Sequence, residues 1–267
     1  MKKLTCALLT ATLALGLLAG CGKKDDTLTV KVGASPAPHA EILEVVKEEL
    51  AKQDINLEIV EFNDYVLPNT SLEDGSIDAN YFQHITYLND FNDQNGTHLV
   101  SLAEIHYEPL AIYAGKAASL ADLKDGDQIA VPNDGTNEAR ALRLLEANGL
   151  ITLREDADLT ATKDDIEENP HNYEIVELEA SQLPSRRADV ALAVINGNYA
   201  LSAGLTNDQA VAFEDAAKAA APFVNVLAVK DGSQDRPEIK ALAEALTSEA
   251  VRTHITETYG DAVVPAF

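Results

Sequence analysis

Few residues in this chain are spaced for covalent chemistry. Serine, histidine and aspartate all occur, but no G-x-S-x-G elbow presents a nucleophile. No G-x-x-x-x-G-K-[ST] loop is present to cradle a phosphate, so any ATP hydrolysis belongs to another chain. Cys6 and Cys21 both fall in the first 21 residues, which leaves the body without a thiolate, a disulfide or a cysteine zinc cluster. The six histidines (His39, His84, His98, His106, His171 and His254) show neither H-x-x-x-H nor H-E-x-x-H spacing. His106 and Glu108 are a pair with ligand chemistry, but they read as neighbours along a strand. No metal and no cofactor is expected.

Other residues could hold a molecule without changing it. Arg140 stands one turn into a helix expected over Asn137–Asn148. A guanidinium there, beside a helix N-terminus, suits an anion; the alternative is a surface arginine in an i,i+4 pair. Arg143 is read as solvated. Asn198 and Asn225 each interrupt an apolar run, as a turn or cap residue or as a buried amide needing partners. Aromatic residues are only 5% of the chain, yet Tyr65, Tyr81, Phe82, His84 and Tyr87 lie within 23 residues. Tyr81 is assigned to the core. Phe82, His84 and Tyr87 straddle a strand-to-helix turn, where α/β ligand sites usually lie, and Tyr65 follows another strand.

The elements that must position these groups follow from periodicity. Leu28–Ala34 alternates as a strand, His39–Lys52 has helical spacing and Ile55–Phe62 alternates again. This βαβ unit implies a parallel sheet with a right-handed crossover. Further strands are expected at Ala79–Phe82, Leu102–Tyr113 (interrupted at Pro109), Gln128–Val131, Tyr173–Leu178, Val190–Ile195 and Phe223–Val229. Helices are expected at Leu67–Leu72, His84–Asn92, Asn137–Asn148, Asn196–Ser202 and Pro237–Tyr259. Glu155–Asn172 reads as an exposed acidic excursion. The alternation indicates α/β, open at this point to a two-lobed solute receptor or a secreted hydrolase.

The 267 residues carry 44 acids against 20 Lys and Arg, a formal charge of −24. That balance excludes nucleic acid as a partner, because phosphate contacts need clustered bases. It also excludes electrostatic docking on anionic lipid. At 46% hydrophobic, the chain can bury a sizeable core in one large or two small domains. Lys2 and Lys3 precede an uncharged run, Leu4–Gly20, which is short for a spanning helix and suits a secretory leader. Its end, Leu18-Ala19-Gly20-Cys21, resembles a bacterial lipobox. Residues 1–20 are then a lipoprotein signal peptide, Cys21 the lipidated first residue, and 21–27 a tether.

Six blocks, in order, resemble the methionine-binding lipoproteins of ABC importers. They are VGASPAPHAEILE (Val32–Glu44), NYFQHITYL (Asn80–Leu88), EPLAIYAGK (Glu108–Lys116), VPNDGTNEARALRLLEANGLITL (Val131–Leu153), LAVINGNYALSAGL (Leu192–Leu205) and APFVNVLAVK (Ala221–Lys230). The resemblance implies a two-lobed periplasmic-binding-protein-like fold with two crossing segments, near Leu110–Gly115 and Ala221–Val226, and the ligand between the lobes. Lobe 1 would comprise 28–110 and 226–267, and lobe 2 residues 111–225. It further implies Arg140 on a ligand carboxylate, Asn198 and Asn225 on the ammonium, and Tyr65, Phe82, His84 and Tyr87 around the side chain. The implied partners are an ABC permease and ATPase, and the membrane through the lipid anchor. No catalysis is expected. Alternatives are another apolar amino acid, a methionine-containing dipeptide, a metal-binding lipoprotein or a secreted enzyme.

If Cys21 carries the diacyl anchor, Cys21→Ala should release a soluble or unprocessed form on membrane fractionation. Unchanged processing and retention would remove the lipobox reading.

Overall fold

The computed structural model describes residues 27–267. The expected leader, Cys21 and the tether up to Asp26 lie outside the described residues. Among the described residues no helix is long and apolar enough to cross a membrane.

The first βαβ unit forms as its pattern requires. Strand β1 (Leu28–Ala34) buries Val30, Val32 and Ala34. Helix α1 (Glu41–Ala51) buries Ile42, Leu43, Val46 and Leu50 along one stripe. Strand β2 (Ile55–Glu61) lies parallel to β1, with Leu28 opposite Ile55. After the short helix α2 (Leu67–Glu73), the wholly buried β3 (Ala79–His84) pairs parallel on the other side of β1. Helix α3 (Ile85–Asn95) leads to β4 (Leu99–Tyr107).

The strand expected over Leu102–Tyr113 with an interruption at Pro109 is not continuous across that interruption. Instead β4 stops at Tyr107, and β5 (Ala111–Ala114) belongs to a second sheet. Pro109 lies in the gap; a proline has no N–H to continue a ladder, so the break is where the chain changes sheets. The second sheet adds β6 (Gln128–Pro132), followed by helix α4 (Gly135–Ala147). Strands β7 (Thr152–Leu153) and β8 (Ile166–Glu168) form a small separate ladder. Strands β9 (Glu174–Leu178), β10 (Leu192–Ile195) and β11 (Ala210–Phe213) complete the sheet in the order β11-β5-β10-β6-β9. Strand β12 (Val224–Lys230) returns between β3 and β4, and β13 (Val264–Pro265) closes the first sheet as β13-β4-β12-β3-β1-β2.

Each sheet has its own core. Val30, Leu43, Tyr81, Leu227, Leu242 and Ile255 pack in one; Ile112, Val131, Leu142, Leu145 and Val194 pack in the other. The protein is therefore α/β with two lobes, and the chain passes between them after β4 and again before β12.

Several elements differ from the periodicity. Strands β7, β8, β11 and β13 span four residues or fewer, too short for alternation to show. The helix expected over Pro237–Tyr259 is two helices, Pro237–Leu246 and Glu249–Tyr259. Ser248 accepts from the Val251 amide at 3.4 Å and caps the second. Arg143 is not simply solvated: its Nη2 donates to the carbonyls of Ala157 and Asp158 at 2.7 and 3.0 Å, tying the acidic excursion to α4.

Candidate functional site

Residues at or just beyond the carboxyl ends of β3, β6 and β10 converge on one cavity, as expected where an α/β sheet offers its strand ends. From β3 and α3 come Phe82, Gln83, His84 and Tyr87; from α4, Asn137 and Arg140; from the turn after β10, Asn196, Gly197 and Asn198. Tyr65, Glu108 and Asn225 complete the wall. The space they enclose is small, one for a solute rather than for a polymer. All seven residues singled out from the sequence (Tyr65, Phe82, His84, Tyr87, Arg140, Asn198 and Asn225) face this space. Gln83, Glu108, Asn137, Asn196 and Gly197 had not been assigned to it.

One end of the cavity is aromatic. The Tyr65 ring lies 5.9 Å from Phe82, 5.7 Å from Tyr87 and 5.0 Å from Tyr199, centroid to centroid. Their hydroxyls are spent elsewhere. Tyr65 donates to Asn198 Oδ1 at 2.6 Å, Tyr87 to the Tyr65 carbonyl at 3.0 Å and Tyr199 to the Asn63 carbonyl at 3.2 Å. What this end offers a ligand is therefore mainly ring edges and faces.

The other end is polar, and its amides have fixed orientations. Because Tyr65 donates to Asn198 Oδ1, Asn198 Nδ2 has no protein partner although it is buried. Asn196 Nδ2 donates to Asn137 Oδ1 at 2.7 Å, leaving the buried Asn196 Oδ1 without one. His84 accepts from the Tyr87 amide at Nδ1 and donates from Nε2 to Asn137 Oδ1 at 3.2 Å, which caps α3 and sets the tautomer. A buried donor and a buried acceptor are thus both unpaired, and each costs about 1–3 kcal/mol until something meets it.

Two charged groups flank them. Arg140 is 4% exposed. Its Nε and Nη2 grip Glu214 at 2.8 and 2.6 Å, and Nη2 also donates to the Glu108 carbonyl at 2.7 Å. Nη1 makes none of these three bonds. The guanidinium lies 4.2 Å from the Phe223 ring centroid. Burial is the largest influence and works against its charge, but Glu214 and Tyr107 together hold its pKa above the usual value. The Glu108 carboxyl is raised by burial, against the opposing pull of His39 and Arg140.

His39, distant in sequence, comes close enough to His106 and Glu108 for the three to present ligand atoms within 4.8 Å of one another. The hydrogen bonds argue for a proton-filled cluster. Tyr81 donates to His106 Nδ1, so His106 Nε2 is the donor to Glu108 at 2.7 Å. His39 Nε2 faces Asn225 Oδ1 at 2.9 Å and Glu108 at 3.4 Å. A metal would need the lone pairs that these N–H groups replace. Gly197 is required beside this cluster: a Cβ there would stand 2.5 Å from Glu108 Oε2.

Sequence carried a signal for Glu108, since i,i+2 spacing puts it on the same strand face as His106. For Glu214, 74 residues from Arg140, the one local hint is an acid ending an apolar run.

The model of the NlpA lipoprotein family matches residues 30–267. The membrane lipoprotein TpN32 of Treponema pallidum is 43% identical over 95% of this chain and 94% of its own. The D-methionine-binding lipoprotein MetQ of Salmonella typhi is 43% identical over 88% of this chain and 87% of its own. The structure of a nutrient binding protein from Burkholderia cenocepacia bound to methionine superposes with a TM-score of 0.85 at 40% identity, covering 89% of this chain and all of the other.

Burial pushes His84 down to about 3 and His39 to about 4, from 6.5. Between those values and 6.5 the unfolded chain holds the extra proton. The stability from each burial is therefore complete above 6.5 and is lost as pH falls toward the folded value. Glu138, pushed up to about 7 by burial, slopes the opposite way between 4.5 and 7, so the test is a difference. His84→Gln should flatten the pH dependence of urea unfolding between pH 6.5 and 4 by about 1 kcal/mol per pH unit. Parallel curves for the two proteins would contradict this.

Proposed function

The chain belongs to the NlpA lipoprotein family, and on that premise we propose that it is an extracytoplasmic, lipid-anchored receptor for methionine or a methionine derivative. It releases its ligand unchanged to a separate ABC permease and ATPase. Lobe 1 (28–110 and 226–267) and lobe 2 (111–225) close on the ligand.

The observation that carries this reading is the polarity of the cavity: an unpaired buried donor and acceptor, flanked by Arg140 and Glu108, beside an aromatic cage with satisfied hydroxyls. A free amino acid has the matching shape. Its carboxylate meets Arg140 Nη1 and Asn198 Nδ2; Asn198, expected on the ammonium, offers its donor instead because the Tyr65 hydroxyl occupies its oxygen. Its ammonium meets Asn196 Oδ1 and Glu108, with Asn225 near. A thioether suits the cage, at about 0.3–1.5 kcal/mol per sulfur–aromatic contact. Burying the side chain adds roughly 1.5–3 kcal/mol, while nanomolar affinity needs about 12 kcal/mol. The paired charges and the preorganised amides supply most of the rest.

Calorimetry on protein stripped of ligand by unfolding and refolding tests this. Methionine should bind tighter than leucine, and methionine sulfoxide at least tenfold more weakly, because a new acceptor enters a cage without a spare donor. Asn198→Ala should weaken methionine by roughly five- to a hundredfold, from about 1–3 kcal/mol for a lost buried partner, while Arg143→Ala should not. A response to divalent metal, or no heat from any methionine-type ligand, would reject the proposal.

A further inference from the structure

Arg140 does not hold its position alone. Glu214, 8% exposed, receives four hydrogen bonds: Arg140 Nε at 2.8 Å, Arg140 Nη2 at 2.6 Å, the Tyr107 hydroxyl at 2.6 Å and the Leu110 amide at 2.8 Å. Tyr107 is the last residue of β4, and Leu110 is the residue before β5. Both belong to the first passage between the lobes. Glu214 itself follows β11 and opens the second passage, and its own amide donates to the Leu110 carbonyl at 3.0 Å. Near the end of that passage Phe223 stacks on the Arg140 guanidinium. One carboxylate thus joins α4, the start of the second passage and two residues of the first.

We propose that Glu214 is a positioning residue that couples the ligand subsite to both crossing segments. It fixes Arg140 so that only Nη1 is left for a ligand carboxylate. Through Oε2, the oxygen that also receives Arg140 Nη2, it fixes Tyr107 and Leu110, so the lobes cannot swing at the first crossing without disturbing the group that grips the ligand. Ligand capture and lobe closure become one event. A chain in which Arg140 were paired from within α4 would have the subsite without the linkage. The inference rests on the amino-acid reading above for its ligand, but not for its hinge.

Removing Glu214 outright leaves a buried guanidinium without its counter-charge and endangers the fold, so the sharper variant is Tyr107→Phe. It deletes one donor to Glu214, keeps the ion pair, and lines no part of the cavity. It should weaken methionine binding about two- to tenfold, the worth of one hydrogen bond, through faster release, with a melting temperature close to that of the unchanged protein. The loss should be less than additive with Arg140→Lys and additive with Asn198→Ala, which does not share the carboxylate. Unchanged affinity, or a lowered melting temperature without an affinity change, overturns the proposal. Hydrogen exchange of the ligand-free protein gives a readout independent of any ligand. Glu214→Gln, or Tyr107→Phe if the former does not fold, should speed exchange at Leu110–Ile112 and at Phe223–Val226. Acceleration confined to α4 overturns the coupling. Failure of the unchanged protein to bind methionine refutes the proposed ligand and leaves the exchange pattern to decide the hinge.

Discussion

A guanidinium taken out of water loses hydration worth several kcal/mol, and a single carboxylate must offset most of that loss here. Arg140 and Glu214 are that pair, and both are nearly inaccessible to solvent. The rest of the region between the sheets follows from keeping them satisfied. The bidentate fork fixes the plane of the guanidinium. The Glu108 carbonyl fills the remaining Nη2 position, and Phe223 covers one face. The chain must therefore bring the ends of β4, β11 and the start of β12 to one point beside α4. That is also where it passes between lobes.

The same rule governs the uncharged polar groups. Three amides, Asn137, Asn196 and Asn198, could each be turned either way, but their neighbours decide. Asp134 accepts from Asn137 Nδ2 at 2.8 Å, so Asn137 Oδ1 must serve His84 and Asn196. The Tyr65 hydroxyl turns Asn198. A fixed donor and a fixed acceptor then face the cavity before any ligand arrives, which is preorganisation in the sense that raises affinity without added contact area. The aromatic residues do two jobs at once. Their rings wall the apolar end while their hydroxyls tie down the polar end, and Tyr65–Asn198 and Tyr199–Asn63 both bridge the lobes.

Much of this was legible in the sequence, for reasons that differ by residue. Leu28–Glu61 could be read because a half-buried strand alternates and a packed helix repeats near 3.6. Phe82, His84 and Tyr87 could be placed because a strand-to-helix turn is a ligand position in any α/β sheet. Arg140, Asn198 and Asn225 drew attention as polar groups in apolar or helix-start contexts, and the family resemblance gave them roles. Glu214 and the clustering of His39 with His106 and Glu108 were not legible, because each depends on pairing between segments distant in the chain. Asn196 precedes a helix, yet its side chain makes no capping bond and turns to Asn137 instead. The split at Thr247-Ser248 was missed because both helices share one apolar stripe, and a serine cap without proline or glycine leaves little trace.

The account turns on which end of the cavity takes which end of the ligand. A crystal structure with selenomethionine as the added ligand reads this directly. The sequence has a single methionine, Met1, inside the expected leader, so in mature protein all anomalous signal comes from the ligand. The account predicts selenium among Tyr65, Phe82 and Tyr87, with the carboxylate in hydrogen-bond reach of Arg140 Nη1 and Asn198 Nδ2. Selenium beside Arg140 and Glu108, or at any site outside this cavity, would contradict it.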